Sequence, residues 1–239
     1  MSIGIPKKIS GTAPFISVEK RAGDLMFAGL FIIGILIIVV IIIALAWRFA
    51  SRRYTLPCPV WMSGMLDSPF SGEMSARTRN TIRRLELRPG MNVLDAGCGP
   101  GRLTIPIART VGPDGEVTAI DIQEGMLREA QKRAHEANLH NIRFLQIGAG
   151  EGKVKRNHYD RAMMVTVLGE IPDRKAALED IFGALKPGGF LVIEETARDP
   201  HFQARGTVRE LAGDAGFIET AFSGGRFSFA ITLEKPPGT

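Results

Sequence analysis

The longest run of apolar residues in the chain covers residues 25–47 and contains neither a charged residue nor a proline. A helix of about 20 apolar residues crosses the hydrocarbon core of a bilayer. Such a helix bonds all of its own backbone polar groups, which the lipid cannot do. The sequence therefore predicts one transmembrane helix over residues 25–47.

A cleaved signal peptide is the alternative for this run, because Ala44-Leu45-Ala46 resembles the small-residue pattern of a cleavage site. The apolar core of a signal peptide is only about 7 to 15 residues long, which is shorter than the run in this chain. Arg48, Arg52 and Arg53 follow directly, as at a segment that stops transfer. We therefore expect an uncleaved anchor.

Beyond residue 73 the pattern changes to short apolar runs that alternate with amphipathic ones. The apolar runs predict strands over residues 92–95, 117–121, 142–147, 161–167 and 190–194. The amphipathic runs predict helices over residues 73–87, 101–110, 124–137, 173–185 and 207–215. Strands that alternate with helices indicate a parallel sheet that is covered by helices on both faces.

Local signals refine this pattern at four places. Asp173 is an expected helix N-cap, and the Lys186–Gly189 segment (KPGG) is expected to end the helix that it caps. Pro106, inside the helix predicted over residues 101–110, indicates a kink. Gly224-Gly225 predicts the turn of a hairpin between residues 217–223 and 226–234, which would add an antiparallel edge strand.

These patterns divide the chain into four parts. We expect a flexible tail over residues 1–24, the membrane span over residues 25–47, a linker over residues 48–72 and the enzyme domain over residues 73–239. Residues 54–72 are apolar and proline-rich, and they either pack on the domain or lie at the membrane interface.

The net charge of +5 lies entirely in residues 1–24 and 48–56, on the two sides of the apolar run. Residues 57–239 are formally neutral, so charge gives no support to a nucleic-acid partner. Basic residues in these positions meet lipid head groups instead. The spacing of His and Cys predicts no metal site.

A glycine-rich turn follows the first predicted strand, in the segment Val93–Gly101 (VLDAGCGPG). Ligands of open parallel sheets bind beyond the carboxyl ends of the strands. A dinucleotide site is the rival interpretation. Its G-x-G-x-x-G pattern is not met, because the third glycine would stand at position 102, where this chain has Arg102. Asp95 would repel a pyrophosphate and suits a cationic amine, whereas Asp121, after the next strand, suits ribose hydroxyls.

Three segments together resemble the class I S-adenosylmethionine-dependent methyltransferases. They are VLDAGCGPG, Val117–Leu127 (VTAIDIQEGML) and Leu185–Glu195 (LKPGGFLVIEE). The resemblance covers about residues 75–239 and is closest to the ubiquinone- and menaquinone-biosynthesis branch of the family. It implies a Rossmann-like α/β fold with seven strands, of which the last is antiparallel.

The resemblance also implies a site for S-adenosylmethionine. Asp95, Gly97, Cys98 and Gly99 would line its methionine end, Asp121 would hold the ribose, and Ile122 and Met126 would flank the adenine. Gly101, Ala149, Gly150 and Val165 complete the expected cofactor site. Ala149 departs from the family, where an aspartate commonly contacts the adenine amine; a backbone amide or Glu151 is the expected substitute.

Methyl transfer from a sulfonium needs a general base only if the acceptor must lose a proton. Glu170, after the fourth predicted strand, and His201, after the fifth, are the candidates, although either could be an ordinary loop residue. The anchor favours a hydrophobic acceptor, such as a lipid or a quinone-like molecule, and a cytosolic enzyme domain. Methylation of a membrane protein and a scaffold that binds the cofactor without catalysis stay open as alternatives.

Overall fold

The computed structural model describes residues 29–43, 45–46, 49–50 and 76–238. The tail predicted over residues 1–24, the predicted linker beyond residue 50, and residues 25–28, 44 and 47 of the predicted span lie outside the described residues. The chain divides into two compact units, Met1–Phe49 and Ala50–Thr239.

The described part of the first unit is helical, and its apolar side chains, such as Phe31 and Ile43, are exposed. Among the residues that the structure describes, no helix has both the length and the apolar character needed to cross a membrane. The span predicted over residues 25–47 extends beyond this described stretch at both ends.

The second unit alternates strands and helices, as the apolar pattern predicts. Its helices are α1 (Ala76–Arg84), α2 (Thr104–Val111), α3 (Glu124–Glu136), α4 (Arg174–Ala184) and α5 (Arg205–Asp214), and Leu168–Glu170 forms a short 3-10 turn. Its strands are β1 (Asn92–Ala96), β2 (Glu116–Ile120), β3 (Ile142–Leu145), β4 (Tyr159–Val165), β5 (Leu185–Thr196), β6 (Ile218–Gly225) and β7 (Ser228–Glu234). Asp173 caps α4 by accepting a hydrogen bond from the backbone N–H of Ala176, which confirms that prediction.

Within residues 76–238 the seven strands form one sheet in the order β3-β2-β1-β4-β5-β7-β6. The pairs among β1 to β5 are parallel, whereas β7 is antiparallel to both β5 and β6. The predicted mostly parallel, seven-stranded, Rossmann-like sheet with an antiparallel last strand is confirmed.

Side chains alternate between the two faces of the sheet, and helices cover both. Val93, Val117 and Met163 point to the face that α2 covers, together with Leu85 after α1. The neighbouring residues of these strands point to the other face, where α4 and α5 pack. Burial on both faces explains why the strands read as continuous apolar runs rather than as alternating ones.

The position of the hairpin strands differs from the expectation. The antiparallel strand β7 lies inside the sheet, and β6 forms the edge. Most residues of β7 are buried, whereas those of β6 are mostly exposed, so the more apolar strand takes the inner position. The turn is Arg226-Phe227, because Gly225 still pairs with Ser228; the turn predicted at Gly224-Gly225 is wrong by two residues.

Two other local predictions need correction. Helix α2 begins at Thr104, so Pro106 is its third residue and lies in the first turn, where a missing N–H removes no intrahelical bond. The basis for a kink therefore disappears. Helix α4 ends at Ala184, just before the Lys186–Gly189 segment, as predicted, but the strand predicted over residues 190–194 begins earlier, at Leu185, because Gly188 and Gly189 exchange backbone hydrogen bonds with Lys235.

Candidate functional site

The turn after β1 is built from glycines because its backbone takes conformations that other residues avoid. Gly97, Gly99 and Gly101 all have positive φ, at 79°, 52° and 82°. A Cβ at Gly97 would overlap the side chain of Val167, which follows β4. At Gly99, in contrast, no described residue apart from its two chain neighbours has an atom within 4 Å of a Cβ position. The turn therefore packs closely on one side and leaves open space at Gly99.

Asp121 ties the ends of β1 and β2 together. One carboxylate oxygen, Oδ2, accepts a hydrogen bond from the backbone N–H of Gly99 at 2.9 Å. The other, Oδ1, accepts from the N–H of Gln123 at 2.8 Å. Burial raises the pKa of Asp121, and these two donors oppose that rise. The structure thus brings the glycine turn and Asp121 together, as the sequence predicts for a ribose site.

Asp95 is a buried carboxyl at the end of β1, with 4% of its surface exposed. Its Oδ2 accepts a hydrogen bond from the Thr104 hydroxyl at 2.5 Å. Burial raises the pKa of Asp95 to about 7, against the lowering effects of Thr104 and Arg102. A cation placed beside Asp95 would offset the cost of its buried charge. The sequence pattern did not indicate Thr104 as a partner.

The loop after β3 places a carboxylate near Ile122, although residue 149 is alanine. Glu151 Oε1 accepts a hydrogen bond from the N–H of Gly148 at 2.7 Å. A Cβ at Gly148 would lie 3.0 Å from Glu151 Oε1 and 3.4 Å from Ile122 Cγ2. Glu151, Gly148 and Ile122 are therefore neighbours, and Ile122 is 55% exposed. This arrangement makes Glu151 the candidate to replace the missing aspartate.

Other predicted cofactor residues occupy more enclosed positions. Met126 and Cys98 are 2% and 7% exposed. Burial raises the pKa of the Cys98 thiol, which is therefore neutral. The N–H of Gly150 donates to Asp180 at 3.1 Å, which fixes the loop that contains Ala149 on α4. Met126 and Cys98 are therefore largely closed to solvent.

The chain after β4 contains a feature that no sequence pattern indicates. Thr166 has a φ of 56°, which is rare for a β-branched residue and costs energy. Its N–H donates to the carbonyl of Glu194 at 2.8 Å, which holds it against β5. Such backbone strain is concentrated at functional sites in proteins. Val165, which precedes it, is half-buried at the end of β4.

Glu170 and His201, both predicted as catalytic, meet beyond the ends of β4 and β5. His201 Nδ1 lies 3.7 Å from Glu170 Oε1 and 3.6 Å from Asp199 Oδ1. A Cβ at Gly169 would overlap the backbone of His201, so the 3-10 turn and the loop after β5 are in direct contact. The His201 side chain is 5% exposed, against 20% for Glu170. Glu170 is thus the more accessible of the two.

A second buried carboxyl, Glu195, lies behind this cluster. Its side-chain Oε2 accepts a hydrogen bond from the N–H of Gln203 at 3.2 Å, and its Oε1 has no hydrogen-bond partner among the described residues. Burial raises the pKa of Glu195 to about 8, and the negative charge of Asp199 adds to the rise. Glu195 is therefore protonated at neutral pH. The sequence signal for this buried carboxyl was the pair of consecutive glutamates at 194 and 195. Adjacent residues of a strand face opposite sides of a sheet, so the two side chains enter different environments.

The two groups of residues lie on either side of the segment after β4. Val167 in this segment packs against Gly97 of the glycine turn, and Gly169 packs against His201. The segment therefore lies between the open turn and the Glu170–His201 pair. A small molecule above Gly99 and a second molecule beside Glu170 would be neighbours.

Comparison with known proteins gives a matching family and several relatives. A family model described as a methyltransferase domain matches residues 87–216. A demethylmenaquinone methyltransferase of Listeria welshimeri is 32% identical over 134 residues, which cover 56% of this chain and 57% of the relative. A ubiquinone/menaquinone biosynthesis C-methyltransferase of Shewanella halifaxensis is 33% identical over 124 residues, covering 52% and 49%. The chain thus spans about half the length of the curated relatives that it matches.

Solved structures share the fold. A SAM-dependent methyltransferase from Aquifex aeolicus has a TM-score of 0.66 and 22% identity, over 74% of this chain and 98% of the other. The magnesium protoporphyrin IX methyltransferase of Synechocystis, solved with SAM bound, has a TM-score of 0.60 and 21% identity, over 79% and 96%.

Glu195 provides a test of the cluster through the pH dependence of stability. A carboxyl whose pKa is raised in the folded protein does not lower the free energy of unfolding at low pH, where it is protonated in both states. The loss of stability grows as the pH rises from the unfolded pKa, about 4.3, to the folded pKa, and it is constant above the folded pKa. Glu195→Gln removes this cost. We expect it to raise the melting temperature by at least about 2 to 4 °C more at pH 8 than at pH 5.

Glu194→Gln is the matched control, since Glu194 is the adjacent residue and pairs with Arg84 at 2.9 Å. This substitution removes one partner of an ion pair, so we expect it to lower the melting temperature rather than raise it. Thermal unfolding of the three proteins followed by circular dichroism from pH 5 to pH 8 makes the comparison. A Glu195→Gln protein whose advantage stays constant over this range would show that Glu195 is ionised in the folded state.

Proposed function

Because the chain belongs to the family of methyltransferase domains, enzymes that depend on S-adenosylmethionine, we propose that it methylates a hydrophobic, quinone-like acceptor. The observation that carries the cofactor half is the open turn at Gly99 between two buried carboxyls, Asp95 and Asp121. The acceptor half is supported by the relatives, which are named for menaquinone and ubiquinone biosynthesis.

The residues of the turn fit S-adenosylmethionine in charge and in space. This cofactor carries an ammonium and a sulfonium and no phosphate, so carboxylates suit it where they would repel a dinucleotide. Asp95 would hold the ammonium, whose charge compensates the buried carboxylate. Asp121 would hold the ribose, and Glu151 the adenine amine. The bare backbone at Gly99 gives the ligand room to approach.

The cofactor supplies a methyl group that the sulfonium already activates, so the protein contributes mainly position and the exclusion of water. A quinol-like acceptor gains a nucleophilic ring when its hydroxyl loses a proton. Glu170 is placed to take this proton, because it is the more exposed member of the pair with His201. His201, between Glu170 and Asp199, acts as a positioning residue that holds the Glu170 carboxylate.

We also propose that the protein is anchored to the membrane, because quinone-like acceptors reside there. The apolar run over residues 25–47 and the basic residues that flank it support an anchor with the enzyme domain in the cytoplasm, where the cofactor is available. Protease treatment of right-side-out membrane vesicles tests this orientation. We expect an N-terminal tag to be removed and residues 76–238 to stay intact; recovery of the whole chain in the unsedimented fraction would contradict the anchor.

Asp95 makes a prediction about cofactor affinity. Its pKa is about 7 without a ligand, and a bound ammonium favours the ionised form. Binding below pH 7 must therefore displace a proton, and the affinity falls by up to about tenfold per pH unit. Calorimetry with the full chain in detergent should show this decline between about pH 7.5 and about pH 5.5.

Thr104→Val sharpens the test, because the lost hydroxyl no longer stabilises the ionised carboxylate. We expect the decline to begin at a higher pH in this variant. Adenosine, which lacks the ammonium, is the control ligand and should show no such decline. An affinity for S-adenosylmethionine that is flat over this range in both proteins would rule out Asp95 as the partner of the ammonium.

Glu170 makes a prediction about turnover. With demethylmenaquinol as acceptor, Glu170→Gln should lower kcat by about 10²-fold or more, because the proton has no acceptor. The affinity for S-adenosylmethionine should be unchanged. His201→Asn should lower kcat less, since it disturbs only the position of Glu170.

Product analysis with labelled methyl groups decides the acceptor class. Transfer to demethylmenaquinol but not to phosphatidylethanolamine in the same detergent supports the proposal. Transfer only to the lipid amine, with kcat insensitive to Glu170→Gln, would contradict it.

A further inference from the structure

A groove with several arginines lies between α1 and the β6–β7 hairpin, and we call it the arginine groove. It consists of a cavity of about 700 Å³ and an adjoining one of about 350 Å³, which share Asn80, Arg84, Ser223 and Ala230. Its basic side chains are Arg77, Arg83, Arg84 and Arg198. Neither the methyl transfer nor the cofactor site uses these residues.

The spacing of α1 explains how the arginines reach the groove. Thr78, Thr81 and Leu85 are buried and attach α1 to the sheet. Arg77 and Arg84 are seven residues apart, so they share another face of the helix, and Asn80 lies between them. The sequence of α1, ARTRNTIRR, contains no acidic residue. The groove is therefore lined by a helix face that carries positive charge and no negative charge.

The charge in the groove is not balanced by its own lining. Among the described residues that line these two cavities, Glu194 is the one carboxylate, and it pairs with Arg84 at 2.9 Å. Arg84 Nε also donates to the Ser223 hydroxyl at 3.2 Å, which fixes its orientation. Arg77, Arg83 and Arg198 have no acidic partner in this lining. An anion is the ligand that such a groove accommodates.

The rim of the groove indicates which anion. Phe227 lines the groove and is 67% exposed at the tip of the hairpin. The guanidinium of Arg226 lies 5.7 Å from the centre of its ring. Arginine forks match phosphate oxygens, and an exposed aromatic beside basic residues is typical of a membrane interface.

We propose that the arginine groove binds the phosphate head groups of anionic lipids. This goes beyond methyl transfer: it gives the enzyme domain its own lipid contact, independent of the apolar run over residues 25–47. The adjacent glutamates separate the two sites, since Glu194 faces the groove and Glu195 faces the opposite side, where the cluster around His201 lies.

Hydrogen exchange of the full chain in lipid nanodiscs tests this contact. We expect peptides that cover α1 and residues 222–230 to be protected in discs with one third phosphatidylglycerol, and not in discs of phosphatidylcholine alone. Each basic residue near an anionic surface contributes about a factor of five to the affinity for the membrane, so Arg77→Gln with Arg198→Gln should weaken the binding of the groove to these discs about thirtyfold and reduce the protection. Equal protection in both kinds of disc would overturn the proposal.

Arg109→Gln with Arg143→Gln is the matched control. It removes the same charge from exposed positions that line a cavity with Asp114 and Glu116, beyond the amino end of β2. Protection should persist in this control, and its loss there would reduce the effect to net charge. Inorganic pyrophosphate added to the chain in detergent should protect the same peptides only weakly. Full protection by pyrophosphate would show a site for a soluble phosphate compound and overturn the lipid assignment.

Discussion

The parallel pairing of β1 with β2 and β4 is the constraint on which the rest of the structure depends. Asp95 of β1 is in register with Ala119 of β2 and with Met163 of β4. Because parallel strands end at the same edge, this register fixes the glycine turn, Asp121 and the segment after β4 side by side. Two carboxyls and an open turn therefore meet at one edge of the sheet, and the hydrogen bond from Gly99 to Asp121 ties them together.

Some features of this edge could be predicted from the sequence, and others could not, because only some of them are local properties of the chain. The strands, the parallel sheet and the positions of Asp95 and Asp121 follow from period and from strand ends, which are local properties. The burial of β7 inside the sheet is not local, since it depends on competition between two strands for an inner position. The same is true of Pro106, whose effect depends on where α2 begins.

The cluster around His201 shows the limit of sequence reasoning. Each member could be placed at a strand end, but the contact between Glu170 and His201 depends on a close approach at Gly169 that no pattern encodes. Thr166, with its strained backbone, and Thr104, with its bond to Asp95, carry no sequence signal at all. The arginines of α1 were visible, but the groove needs Arg198 and the hairpin, which come from distant parts of the chain.

Glu194 and Glu195 show how one strand serves two different environments. Alternation turns Glu194 toward Arg84, which compensates its charge, and Glu195 into the interior, where it keeps its proton. A charged pair suits a groove that meets an anion, because Arg84 is already fixed in place when the ligand arrives. A protonated carboxyl suits the other face, because a second negative charge beside Asp199 would oppose the fold of the loop that carries His201. The same two residues thus allow the end of β5 to support a basic surface on one side and the cluster around His201 on the other.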